Sequence, residues 1–239
     1  FTEVRTNRVL TIVHSVVRPA QTAFVHGRHI LEGVVVLHET IHELHSKKLN
    51  GVIFKVDFKK AYDKVNWDFL LDCHRMREFH LKWVEWVSKI LVGGTVSVKL
   101  NDEVGPYFQS SKGVRQGDPF SPFLFNLAAD CLTKMILKAQ QNGLFKGLAS
   151  DLIPNGVAIL QYADDTILCF EDNIRNALNI KLLLYLFEVM SGLKINFLKS
   201  EILSVRADDE TMHKYAEMFN CQIGDFPMKY LGMPVSYAG

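Results

Sequence analysis

An α+β fold follows from three observations on this sequence. Long stretches carry apolar residues at helical spacing, and short apolar or alternating runs of strand length lie between them. With 239 residues and 48% apolar content, the chain can bury a substantial core as one large domain or two small ones. The first helix is predicted over residues 30 to about 47, where Ile30, Val34, Leu37, Ile41 and Leu44 recur at helical spacing. Val52-Ile53-Phe54-Lys55-Val56 then reads as a strand ending at Asp57. Helical periodicity resumes through Trp67, Leu70, Leu71 and Met76, and again through Leu81, Trp83, Val84, Val87, Ile90 and Leu91, with a helix end expected at Gly93-Gly94. Val96-Ser97-Val98-Lys99-Leu100 alternates, Asn101-Asp102 turns, and Tyr107-Phe108-Gln109 can return as a hairpin. A glycine-punctuated loop over residues 113–119 leads into a long helix predicted from 119 to about 141, and Pro122 is tolerable because it lies in the first turn. Val157-Ala158-Ile159-Leu160 and Thr166-Ile167-Leu168-Cys169-Phe170 form a second hairpin with Tyr162-Ala163-Asp164-Asp165 at its tip. A helix over about 174–190, a loop at Ser191-Gly192, a strand near Ile195, a short helix over about 212–219 and a terminal strand near Tyr230 complete the order.

Several classes are excluded before any motif is considered. The longest apolar runs, such as Val34-Val35-Val36-Leu37, fall far short of the roughly 20 residues a membrane span needs. Phe1-Thr2-Glu3-Val4-Arg5 is neither a natural initiator nor a signal peptide, so the chain reads as a piece of a longer polypeptide. Cys73, Cys131, Cys169 and Cys221 form no C-x-x-C pair, which argues against a zinc ribbon or a disulfide framework and fits a reducing intracellular compartment, nucleus or cytoplasm. With 27 basic and 26 acidic residues the net charge is +1, so the chain as a whole does not advertise nucleic-acid binding. Lys55, Lys59, Lys60 and Lys64 nonetheless cluster around Asp57, and a groove can be basic on a neutral domain; solvated surface lysines would look the same.

The chemistry concentrates in carboxylates at strand ends. Asp164 and Asp165 repel each other, so a tight turn presenting both is costly unless a cation neutralises them or solvent covers them. If the strand ending at Asp57 lies beside that hairpin, three carboxylates could hold a pair of hard cations such as Mg²⁺, suited to handling phosphates. A solvated acidic turn is the alternative. In the loop over 113–119, Gly113 and Gly117 let backbone approach a ligand closely, with Arg115 and Gln116 as polar arms; the same residues would also make an ordinary loop in which Asp118 caps the following helix.

Phe54-Lys55-Val56-Asp57-Phe58-Lys59-Lys60-Ala61-Tyr62-Asp63, then Gly113-Val114-Arg115-Gln116-Gly117-Asp118-Pro119, then Tyr162-Ala163-Asp164-Asp165 resemble, in order and spacing, motifs A, B and C of reverse transcriptases. More narrowly, the blocks resemble the non-LTR (LINE-type) retrotransposon enzymes of plants. Three further blocks agree: Gln21-Thr22-Ala23-Phe24-Val25-His26-Gly27-Arg28, the segment from Ser191 through Lys194, Asn196 and Lys199 to Glu201, and Lys229-Tyr230-Leu231-Gly232-Met233-Pro234. The resemblance covers essentially the whole chain. It implies a polymerase palm, an antiparallel sheet packed on helices, over residues 50–205. Residues 1–49 would be partial fingers, and 206–239 the end of the palm with a primer-grip segment at Tyr230, Leu231 and Gly232. It implies RNA-directed DNA polymerisation with two Mg²⁺ on Asp57, Asp164 and Asp165, using an RNA template, a DNA primer and dNTPs. Tyr62 falls on the position that excludes a 2′-hydroxyl, although a core tyrosine is the plainer reading. Arg115, Gln116 and Gly117 fall on the loop that touches template and nucleotide. Asp63 takes a structural role such as helix capping. Lys194 and Lys199 lie in a loop behind the site, where a lysine could protonate pyrophosphate. Arg28 is a candidate phosphate contact, with a surface salt bridge as the alternative.

Two other readings compete. His38-Glu39-Thr40-Ile41-His42 is a literal H-E-x-x-H on a predicted helix, the signature of zinc metalloproteases. The longer form of that motif would need Gly at 45 and His at 48, which are His45 and Lys48 here, and a strand rather than a ligand-bearing helix follows. The third reading is an inactive remnant or fragment of such an element, because the family's upstream triphosphate-gripping arginine, its thumb and its endonuclease are expected outside this stretch.

Overall fold

The strand-length runs assemble into one five-stranded sheet in the computed structural model, which describes residue 6 and residues 8–237. The opening residues 1–5, considered above as a leader or initiator, lie outside the described residues. β1 (Gly51–Val56) occupies the middle, flanked antiparallel by β7 (Asp165–Glu171) and β8 (Glu201–Val205). β6 (Ile159–Tyr162) pairs with β7 at one edge, and β9 (Gln222–Ile223) runs parallel to β8 at the other.

Alternation along the strands feeds two cores. Val52, Phe54 and Val56 of β1, with Leu168 and Phe170 of β7, face a large core closed by α4 (Trp67–Arg75), α5 (Leu81–Val92), α6 (Ser121–Gln141), α7 (Ile174–Ser191) and α8 (Asp209–Phe219). Ile53, Ile167, Cys169, Leu203 and Val205 face a smaller core under α2 (Ile30–Ser46) and the hairpin of β10 (Met228–Tyr230) and β11 (Met233–Val235). α2 turns Val34, Leu37, Ile41 and Leu44 inward, the stripe its sequence spacing predicts except for Ile30, which is exposed at the first turn. Two short helices, α1 (Val13–Val16) and α3 (Ala61–Lys64), have too few residues for a periodic signal. No helix among the described residues is long and apolar enough to cross a membrane.

Helix ends follow local chemistry. Asn66, Asn173 and Asp208 accept hydrogen bonds from backbone N–H groups in the first turns of α4, α7 and α8. α6 begins at Ser121, two residues after the predicted start, because Asp118 Oδ1 accepts from Phe120 N at 2.9 Å and holds a turn there. The predicted hairpin over residues 96–109 divides into two ladders, β2 (Thr95–Val96) with β5 (Phe108–Gln109) and β3 (Lys99–Leu100) with β4 (Glu103–Val104). The register slips by one residue between them, on the side where Pro106 has no N–H to donate. Asn101 and Asp102 both adopt positive φ, as a two-residue hairpin turn requires. The strand expected near Ile195 is reduced to a single bridge with Phe58, and the terminal strand near Tyr230 is the first half of the β10–β11 hairpin.

Candidate active site

Backbone register brings the carboxylates together. β1 and β7 pair antiparallel up to Val56 opposite Thr166, so one further step sets Asp57 across from Asp165, with Asp164 in the adjoining turn. Asp57 is held at both ends of its backbone: its N–H donates to Ser200 Oγ at 3.1 Å, and its carbonyl accepts from Asn196 N at 2.7 Å. Ser200 is fully buried and its hydroxyl donates to Asn196 O, so the segment after α7 clasps the end of β1.

The acids sense one another. Partial burial first, then the Asp164 charge, push the Asp165 carboxyl above its ordinary range; Lys55 pulls it back and Asp57 adds a smaller push. Lys55 also pairs with Glu201 at 3.3 Å on the neighbouring strand. Oxygen-only donors crowding one corner suit a hard divalent cation in charge and ligand type. As oriented, however, no group of three His, Cys, Asp or Glu side chains among the described residues closes on one ion position. The register is the firmer guide, because carboxylates reorient about two side-chain torsions whereas the strand pairing is fixed by the sheet. The donor set suits such cations in charge and ligand type, and the carboxylates would have to rotate to close a coordination sphere.

Tyr62 stands beside this corner. Its ring stacks on Phe125 at 4.5 Å between centroids, and burial followed by the Asp164 charge pushes its hydroxyl up to about 12. The loop over 113–119 is fastened to the same place: Gly113 N donates to Val65 O, Val114 N to Tyr62 O, and Trp67 Nε1 to Gly113 O. Gly113 sits at φ 84°, and a Cβ there would lie 2.7 Å from the Asp63 carbonyl, so only glycine allows this approach. Arg115, Gln116 and Asp118, with Asp63, Lys89 and Lys112, line an open cleft of about 940 Å³. Asp63 caps no helix; it accepts from Gln116 Nε2 at 3.4 Å, linking α3 to the loop.

The remaining candidates divide. Tyr230 is buried under the sheet with its hydroxyl pushed up by burial and then by Asp165, and Leu231 and Gly232 form the turn of the β10–β11 hairpin at positive φ. Lys194 and Lys199 are exposed on the segment that clasps Asp57. The Arg28 guanidinium donates to the carbonyls of Val17, Arg18 and Gln21 with three of its N–H groups, so most of its donors serve the backbone. His38, Glu39 and His42 decorate the outer side of α2, whose buried side serves the small core, and no third ligand joins them among the described residues. Sequence reasoning gave Gln21 and Ser200 no role although both stood in quoted blocks, because a buried polar side chain that grips backbone leaves no periodic or charge signature.

The chain matches the family described as reverse transcriptase (RNA-dependent DNA polymerase) over residues 2–235. It is 27% identical over 158 residues to a Pol polyprotein of the type-1 retrotransposable element R2 of Nasonia vitripennis, covering 66% of this chain and 15% of that protein. It is 24% identical over 230 residues to the Pol polyprotein of the type-2 element R2DM of Drosophila melanogaster, covering 92% of this chain and 21% of that one. Its fold is similar to a telomerase of Candida tropicalis, solved with a telomeric RNA fragment, with a TM-score of 0.67, 14% identity, and coverage of 99% of this chain and 36% of that one. The chain thus spans a small part of the length of the relatives it matches. With a matching palm-like sheet and a family match over nearly its whole length, the chain belongs to the reverse transcriptase family.

Proposed function

We propose that this chain is the catalytic core of an RNA-directed DNA polymerase from a plant LINE-type element, extending a DNA primer along an RNA template with dNTPs. Residues 1–49 act as partial fingers, 50–205 as the palm and 206–239 as its end with the primer grip, within a polypeptide carrying further domains. The observation that carries this reading is the β1–β7 register, which aligns Asp57 with Asp165 beside Asp164. Two Mg²⁺ held there would activate the primer 3′-hydroxyl and stabilise the departing pyrophosphate. Asp57 and Asp164 would hold the ions most closely, and Asp165 would be a looser third ligand. Tyr62, braced on Phe125 and neutral at physiological pH, walls off the sugar's 2′ side. Arg115 and Gln116, which line the open cleft, and Gly117 beside them meet the templating base and incoming nucleotide. Lys199 reaches toward the pyrophosphate side, and Tyr230, Leu231 and Gly232 steady the primer. Arg28 is left out of the ligand contacts, most of its donors being engaged with backbone.

Primer extension on an RNA template with Mg²⁺ and dNTPs tests the assignment. Incorporation by the chain in its full polypeptide, lost in Asp164→Asn, is the expected result; undiminished incorporation by that variant would overturn the site. Tyr62→Val should admit ribonucleotides while leaving dNTP incorporation measurable.

A further inference from the structure

The tip of the β6–β7 hairpin carries two acids on a backbone that does not favour its own shape. Ala163 is held at φ 55°, a left-handed conformation that costs a residue bearing a Cβ roughly 1–2 kcal/mol. The β6–β7 ladder closes the turn with Tyr162 opposite Asp165, and within the turn the Thr166 hydroxyl reaches Asp164 O at 3.4 Å. The compensation comes from a residue 142 positions earlier. Gln21 Oε1 accepts from Ala163 N at 2.9 Å, and Gln21 Nε2 donates to Ala163 O at 3.1 Å, so one amide spans the N–H and the carbonyl of the strained residue. The same Oε1 accepts from Ala23 N, which fixes the rotamer of Gln21, and the side chain is fully buried.

The platform behind this clasp is itself rigid. Residues 20–22 lie along the free edge of β6, with Gln161 N donating to Ala20 O and Thr22 N to Gln161 O. Arg28 ties down the carbonyls of Val17, Arg18 and Gln21, and Arg18 is anchored to buried Asp130 through both its backbone N–H and its guanidinium. A clasp bonded to both the N–H and the carbonyl of Ala163 ties the two peptide planes that flank it, and the second of those peptides leads directly into Asp164. We propose that Gln21 is a positioning residue that holds the Ala163 peptide in its left-handed turn and thereby sets where the Asp164 and Asp165 carboxylates stand to receive divalent cations. This rests on the polymerase reading for its purpose, while its geometry is independent of that reading.

The test separates positioning from ordinary stability. Gln21→Met keeps the volume and removes both bonds to Ala163, together with the one from Ala23 N. Thr22→Val removes the neighbouring buried bond from Thr22 Oγ1 to Gln161 O without touching the turn. Mn²⁺, a paramagnetic stand-in for Mg²⁺, is titrated into each protein and followed by electron paramagnetic resonance, and exchange of the Ala163 amide is followed by NMR. Loss of two hydrogen bonds should weaken Mn²⁺ binding by about tenfold in Gln21→Met and speed Ala163 exchange by a similar factor, with Thr22→Val within about twofold of wild type. Equal weakening by both substitutions would reduce Gln21 to one more stabilising contact and overturn the proposal, as would unchanged binding and exchange in Gln21→Met. Should that variant not fold, Gln21→Glu decides instead: it keeps the acceptor for Ala163 N and loses the donor to Ala163 O, and Mn²⁺ affinity equal to wild type would overturn the role. A wild-type protein that binds no Mn²⁺, or an Asp164→Asn variant that binds it unchanged, would instead sink the metal-site reading and this purpose with it.

Discussion

The region behind the hairpin and the region in front of it are built on opposite principles. Behind it, charged groups are buried and paired: Asp130 is fully enclosed and bonded by Arg18 and Arg77, whose nitrogens lie 2.7 and 2.6 Å from its carboxylate. In front, the β2–β5 arm is exposed along all four short strands and the loop over 113–119 borders an open cleft. Asp57, Asp164 and Asp165 sit on the seam. A site that holds its carboxylates by the rigid half and leaves the other half open can admit a large ligand without loosening its chemistry, which is what the proposed polymerase function would require.

Breaking the seam itself should have the largest effect. Asp164→Asn keeps the volume and removes one of the charges that the proposed mechanism needs to hold its cations, and incorporation should fall by about a thousandfold or more in primer extension. Breaking the brace comes next. Asp130→Asn leaves two guanidinium groups facing a neutral amide, one of them, Arg77, largely buried, and should cost about 3–5 kcal/mol in urea unfolding. The effect on the open half would be small, because no bond of this network reaches the loop over 113–119.

The open half can be tested against itself. Gly113 and Gly117 both sit at φ 84°, yet only Gly113 is pressed against backbone, with the Asp63 carbonyl 2.7 Å from where a Cβ would lie; around Gly117 nothing comes within 4 Å. Gly117→Ala should therefore cost only the conformational strain, about 1–2 kcal/mol. Gly113→Ala should cost about 3 kcal/mol or more, because the loop must also shift away from α3. Equal melting temperatures for the two variants would mean that the loop is not fastened where these contacts put it.

The same division governs what the sequence disclosed. The helices over 30–46, 67–75 and 81–92 and the strands beside Asp57 and Asp164 were legible because periodic burial writes itself into apolar spacing. The acids were legible because two adjacent carboxylates in a turn have few inexpensive explanations. The brace was not legible: Gln21, Asp130 and Ser200 act by gripping partners up to 143 positions away, and neither composition nor period records that. Arg28 shows the hazard of reading such residues singly, since its charge suggested a phosphate while its neighbours in space are three carbonyls. The break in the β2–β5 arm was written in Pro106, whose missing N–H marks where the ladder slips.

The smallest effect lies at Asp165, where the two halves meet. Its folded carboxyl is raised, by burial first and by Asp164 next, so the folded state binds this proton more readily than the unfolded chain does. A raised carboxyl destabilises the fold at pH values above the folded value, and the penalty disappears as pH falls below the ordinary value of about 3.8. Asp165→Asn should therefore raise the melting temperature at pH 7 by about 1–3 °C, a modest figure because water screens this partly exposed group. The difference from wild type should shrink as the pH is lowered toward 4, whereas a gain that persists there would mean that packing, not repulsion among the three acids, is what the substitution relieves. Divalent cations supply the discriminating control: added Mg²⁺ should stabilise wild type more than Asp165→Asn, since a cation and the asparagine remove the same repulsion.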